Sequence, residues 1–135
     1  TGVQTCALPI YVTLDQLQCL VQEARVRPRI VQNRCFAVQG WDRQVREFCA
    51  ANDLVYQAFS LLTANRKTLA SSELIRIAEH NCRTAQQIVF RFALEVGMIP
   101  LTGTTNGDHM NTDLDIFGFS LDPEDIELIE SVVAK

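Results

Sequence analysis

The sequence predicts an α/β chain in which helices alternate with the strands of a parallel sheet. Three observations carry that expectation. Apolar residues recur at helical spacing in several stretches, and between them lie apolar runs too short for helices. Two of the helical stretches open with capping boxes, Thr13-x-x-Gln16 and Thr84-x-x-Gln87. The short runs end in amide, hydroxyl or glycine residues, where strands leave a sheet for polar loops.

Leu14, Leu17, Leu20, Val21 and Ala24 trace one helix face behind the Thr13 cap, and Pro28 bounds that helix. Arg29 to Asn33 is a short strand. Asp42 is expected to cap a second helix, with Val45, Phe48 and Cys49 on its buried stripe. Leu54 to Phe59 is the next strand. Ser60 to Ala70 shows no period and reads as a loop, long for a plain connection and so a functional candidate. Ser71 or Ser72 caps a short helix through His80. Thr84 caps a longer one whose Ala85, Ile88, Val89, Phe92, Ala93 and Val96 share one face up to Gly97. Met98 to Leu101 is the third strand. A helix follows the Thr/Gly turn beyond it, and Asp122-Pro123-Glu124-Asp125 opens a last one, with Ile126, Ile129, Val132 and Val133 on its buried side.

At 135 residues and 47% hydrophobic content the chain can build one core. A formal net charge of -4 without a Lys/Arg run argues against nucleic acid or an anionic membrane as partner. No apolar run reaches the roughly 20 residues of a membrane span, and no basic segment precedes a hydrophobic core, so the expected location is the cytoplasm. Cys6, Cys19, Cys35, Cys49 and Cys82 are odd in number, form no C-x-x-C and fall within apolar faces, as reduced thiols do. His80 and Cys82 are too isolated for a metal site, and none is expected.

The stretch around which the chain is organised is Ile99 to His109. Its apolar run breaks into hydroxyl and glycine residues just before a helix start, an arrangement in which backbone N–H groups converge on an anion such as phosphate. Two closed architectures then compete, a doubly wound sheet and a (β/α)8 barrel. Three strands are too few for either; a barrel needs about 250 residues, and residues 11–135 are about half of one.

Four motifs bear on that choice: Ile30-Val31-Gln32-Asn33-Arg34, Ala58-Phe59-Ser60-Leu61-Leu62, Thr84-Ala85-Gln86-Gln87 and Ile99-Pro100-Leu101-Thr102-Gly103-Thr104-Thr105. In order and spacing they resemble the C-terminal half of the aldo/keto reductases, and the likeness runs from Tyr11 to Lys135. The resemblance implies a fragment of a TIM barrel, roughly strands six to eight with their helices and the C-terminal helix. It also implies an NAD(P)H-dependent reductase of aldehydes or ketones, with the cofactor across the carboxyl ends of the strands. Asn33 matches the residue that holds the nicotinamide carboxamide, and Phe59 the aromatic that stacks on the ring. Ser60 and Leu62 match the segment reaching the pyrophosphate, and Thr102, Gly103, Thr104 and Thr105 the loop meeting the adenosine phosphate.

The chain departs from the family around that last loop. Lys, Arg and Asn are frequent there, whereas Gly103, His109 and Asp113 stand in their places with Thr112 beside them. A permanent cation for a 2′-phosphate is missing, which implies use of both NADP and NAD, with NADPH favoured as falling pH charges a histidine. The family's catalytic Asp, Tyr, Lys and His lie in the other half of the barrel. No catalytic residue is expected here and the chain alone should be inactive; His80, at a helix end, and Tyr56, in mid-strand, do not replace them.

A second reading on the same barrel is a non-enzymatic nucleotide-binding regulatory subunit. An unrelated doubly wound nucleotide-binding domain is disfavoured because no strand is followed by G-x-G-x-x-G. Residues 1–10 fit no element and resemble an in-frame translation of a DNA-sequencing adapter, so they are expected to be foreign to the fold.

Overall fold

In a computed structural model of the chain, residues 8–131 are described. Helix α1 spans Leu14–Glu23, β1 Ile30–Arg34, α2 Arg43–Ala51, β2 Val55–Phe59, α3 Arg66–Leu69 and α4 Ser72–His80. They are followed by α5 at Ala85–Glu95, β3 at Met98–Pro100, α6 at Gly107–Leu114 and α7 at Pro123–Ser131. Both capping boxes form: Thr13 and Thr84 each accept from the backbone N–H three residues on, and the Gln16 and Gln87 side chains reach back to the cap N–H. Ser71 caps α4 by accepting from the Leu74 N–H.

The three strands are parallel in the order β1-β2-β3. Val31, Tyr56, Ala58 and Met98 point to one face and are buried under the helices, each at most 2% exposed. On the other face Ile30, Val55 and Ile99 remain 37–44% exposed. A doubly wound sheet is covered on both faces and reverses its strand order, whereas sequential order with one-sided cover is the pattern of an α/β barrel. The core gathers around α5, whose Ile88, Val89, Phe92 and Ala93 are fully buried; each larger side chain contributes about 1.5–3 kcal/mol.

Several expectations are corrected. Asp42 does not cap α2: its φ is +56° and its carboxylate bonds to β1 and β2 instead. Phe48 is only half-buried, and the buried stripe of α2 is completed by Arg46, whose guanidinium donates to the carbonyls of Trp41 and Val96. The expected loop from Ser60 to Ala70 contains α3. That turn is anchored by Asn65, 3% exposed, whose side chain donates to the carbonyls of Cys35 and Leu61 and accepts from the Ala37 N–H. Cys35 and Cys49 are buried as expected, but Cys19 and Cys82 are exposed. Val132 and Val133, and most of residues 1–10, lie outside the described residues.

Candidate functional site

The carboxyl ends of the strands are built in two different ways. After β1, the Asn33 side chain is 5% exposed and fully engaged as a donor. Its Nδ2 donates to the Val12 carbonyl at 2.8 Å and to Asp42 Oδ2 at 2.7 Å, while its Oδ1 accepts from the Val12 N–H at 2.9 Å. The Tyr56 hydroxyl donates to the same Asp42 oxygen at 2.6 Å. Burial, the neighbouring Cys35 and the bond to Asp42 hold the Tyr56 hydroxyl well above its ordinary value. Burial, with Asp42 second, pushes the Cys35 thiol up to about 12. Tyr56 is thus a buried tie between strand and loop.

Phe59, at the end of β2, lies half-buried with its ring edge-on to Tyr11 at 5.2 Å between centroids. Ser60 follows with φ +58°, a left-handed conformation rare for a residue with a side chain and a recurrent sign of a functional turn. The Ser60 carbonyl accepts from the Ala64 N–H, so the chain folds tightly back.

Thr102 and Gly103, after β3, meet Ser60, Leu61, Leu62 and Thr63 across a cleft of about 220 Å³ floored by Phe90 and Leu101. The N–H groups of Leu61, Leu62, Thr63, Gly103, Thr104 and Thr105 donate to no other described residue. A Cβ built on Gly103 meets nothing within 4 Å, so space stands open above that backbone. On its other side the same loop borders an apolar groove of about 440 Å³, walled by Phe90, Leu94, Ile99, Ile116 and Phe117 and rimmed by Thr102, Thr104 and Asp113.

The rest of the loop is held by short-range bonds. Thr102 Oγ1 donates to Asp113 Oδ2 at 3.0 Å, and the Asn106 N–H donates to Thr104 Oγ1 at 3.1 Å. Asn106 caps α6 by accepting from the N–H groups of Asp108 and His109. Thr112 turns its hydroxyl back to the Asp108 carbonyl. Thr105 and His109 are exposed. Helix α5 places this loop: Gln87 donates to the Thr112 carbonyl, Arg91 to the Ile116 carbonyl, and Glu95 accepts from the Leu121 N–H.

Of the residues expected to bind, Ser60, Leu62, Thr102 and Gly103 therefore share one cleft, and Thr104 and Asp113 border the adjoining groove. Asn33 lies apart, in a separate hollow of mixed lining with Asp42 and Arg43. The sequence reading missed Asn65 and Gln87 as positioning residues. A signal existed for Gln87, three residues after the cap of its capping box; for Asn65 the bonds that tie the turn to the rest of the fold reach 28 and 30 residues away, and only the one to Leu61 is local. Among the described residues no cluster of three metal-ligating side chains forms, and no helix is long and apolar enough to cross a membrane.

A one-sided parallel sheet with its loop-built cleft at the carboxyl ends of the strands defines the α/β-barrel class. Solved structures agree: an aldo/keto reductase from Brucella melitensis matches with a TM-score of 0.77 at 25% identity over 90% of this chain and 46% of that one. A Gox0644 variant in complex with NADPH matches with a TM-score of 0.79 at 27% identity, over 90% of this chain and 44% of that one. Aldo-keto reductase family 1 member C15 of Rattus norvegicus is 26% identical over 129 residues, 87% of this chain and 40% of that protein. The chain spans less than half the length of these relatives. The sequence profile of the aldo/keto reductase family matches residues 11–134, and the chain belongs to that family, whose members are oxidoreductases.

Proposed function

We propose that the chain is the C-terminal part of an NAD(P)H-dependent carbonyl reductase barrel and contributes cofactor binding, with the catalytic groups supplied by the other half. The observation that carries this reading is the cleft in which Ser60–Thr63 and Thr102–Gly103 face each other. Leu61, Leu62, Thr63 and Gly103 line it with backbone N–H groups that have no described partner, the kind of donor a pyrophosphate takes. The NADPH complex of a solved relative supports a nicotinamide cofactor.

When bound, the cofactor supplies a hydride to the carbonyl carbon of an aldehyde or ketone. This chain's residues bind and orient. Phe59 offers its ring to the nicotinamide, with Tyr11 closing the side. Both N–H groups of Asn33 are already used, so toward a carboxamide it offers the second lone pair of Oδ1 as an acceptor. Thr102, Thr104 and Thr105 add hydroxyls at the adenosine end. Around the loop Asp108 and Asp113 are acidic and His109 is the sole basic side chain between 102 and 113, which supports use of both NADH and NADPH. The family match beginning at Tyr11 supports residues 1–10 being foreign to it, although the Pro9 carbonyl does accept from the Gln32 N–H.

The test is to restore the preceding half from the source genome and measure turnover of small aldehydes and ketones with both cofactors at pH 6 and 8. Turnover by the restored enzyme, none by this chain alone, and dissociation constants for NADH and NADPH within about tenfold are expected. A restored enzyme that binds neither cofactor overturns the reading. A large, pH-independent preference for NADPH overturns the dual-use part.

A further inference from the structure

Gln32, Arg34, Gln57 and Phe59 stand on the sheet face turned away from the helices, because they alternate along β1 and β2 with buried Val31, Cys35, Tyr56 and Ala58. In an α/β barrel that face lines the interior. The strand register orders it in layers: Ile30 beside Val55, then Gln32 beside Gln57, then Arg34 beside Phe59 at the carboxyl end. The face thus passes from apolar side chains, through neutral amides, to a permanent cation next to an aromatic ring where the strands open onto their loops. Closure of the barrel by the preceding half leaves these layers and their order unchanged.

The guanidinium of Arg34 lies over the Phe36 ring, 5.2 Å from its centroid, which orients the group without neutralising it. Two carboxylates border the same hollow, and both are committed elsewhere: Asp42 accepts from Asn33 and Tyr56, and Glu130 pairs with Arg43 and Arg46. Arg34 makes no ion pair with a described residue. A guanidinium at the mouth of a site that excludes water is best matched by a carboxylate, which it grips through two parallel N–H bonds.

We propose that Arg34 selects carbonyl substrates that carry a carboxylate. The proposal rests on the cofactor reading above, and direction supplies its argument. In the order β1-β2-β3, Phe59 on β2 has Arg34 on one side and the β3 loop on the other. The cleft read as the pyrophosphate site is on the β3 side, between Ser60 to Thr63 and Thr102 to Gly103. A dinucleotide with its nicotinamide on Phe59 therefore leaves toward β3, and Arg34 stands beyond the ring on the side away from the phosphates. The anion it meets there belongs to the substrate. That carboxylate takes no part in the hydride transfer; it anchors the substrate and so orients the carbonyl over the ring.

The test uses the enzyme restored with its preceding half and two matched pairs, 4-carboxybenzaldehyde against benzaldehyde and 4-oxobutanoate against butanal. The charged member of at least one pair should have a kcat/KM higher by roughly tenfold or more. Arg34→Gln should abolish that preference, mainly through KM, and leave the neutral aldehyde within about threefold, while Arg34→Lys should restore part of it. Calorimetry of benzoate binding to the restored protein saturated with NADP+, which involves no turnover, should show the same loss in Arg34→Gln. Equal use of both members of both pairs overturns the proposal, and so does a preference that survives Arg34→Gln. A variant that loses the charged and neutral aldehydes alike also overturns it, since Arg34 then pairs with a carboxylate of the preceding half. If Arg34→Gln fails to fold, benzoate against neutral benzamide on the unaltered protein decides, and equal affinities overturn it. A restored protein that binds neither NADH nor NADPH sinks the functional reading and this proposal with it. One that turns over all four aldehydes without regard to charge sinks this proposal alone.

Discussion

The ends of β1 and β3 stand in contrast although both face the same side of the sheet. At β1, Asn33, Asp42, Tyr56 and Val12 satisfy one another inside the protein, through partners 9, 14 and 21 residues apart. At β3, Thr102, Thr104, Asn106 and Asp113 are tied only to neighbours within 11 residues, at the surface, and several N–H groups are left over. A closed polar network specifies geometry and an open one offers donors to a ligand. The first end therefore sets where the sheet and loops sit, and the second is suited to bind.

The largest expected effect breaks the closed end. Asp42→Ala removes the acceptor shared by Asn33 and Tyr56 and should cost roughly 2–4 kcal/mol, read as a lower midpoint in urea. A loss below about 0.5 kcal/mol would show that the network is not closed. Next comes alkaline titration. Cys35 keeps its proton to about 12 and Cys49 to about 11, against an ordinary 9.0, in both cases because burial disfavours the thiolate. Above pH 9 the unfolded chain releases protons that the folded chain retains. The stabilisation is thus complete below pH 9 and falls by about 1.4 kcal/mol per pH unit for each thiol toward pH 11. Urea midpoints that stay flat from pH 8 to 11 would contradict this, and Cys35→Ala should flatten the slope by one thiol's share.

A smaller effect sharpens how the two ends are delivered. Helix α5 passes into β3 through Gly97 at φ +80°, and α2 passes toward β2 through Asp53 at φ +56°. Gly97→Ala should destabilise by about 1 kcal/mol and Asp53→Gly should stabilise by a similar amount. Thermal scans showing the same sign for both would remove left-handed strain as the cause. Smallest of all, Asp113→Ala should change stability by less than about 0.5 kcal/mol, since its bond to Thr102 is at the surface. A cost matching that of Asp42→Ala would erase the contrast between the two ends.

What could be read from sequence divides along the same line. The caps of α1, α4 and α5 involve residues three apart, so Thr13, Ser71 and Thr84 were legible. Asp42 had every local mark of a cap, yet its partners are strand residues that only tertiary structure brings near, and two bonds to them outweigh one cap bond. Arg46 was absent from the stripe expected for α2, because two of its three partners, the Val96 carbonyl and Glu130, arrive from distant segments. The Thr/Gly loop was legible as a candidate site because its chemistry is local. The separation of Asn33 from the cleft was not, because it depends on Val12 and Asp42 claiming its amide.

Trp41 is the chain's one tryptophan, and its indole N–H donates to the Ile129 carbonyl of α7 across 88 residues of sequence. Fully buried and tied to that helix, it is a built-in fluorophore for the last long-range closure of the chain. Its emission should shift to the red when α7 alone undocks, before the sheet melts. Because closing so long a loop is entropically slow to be rewarded, the blue-shifted signal should also be among the last to return on refolding.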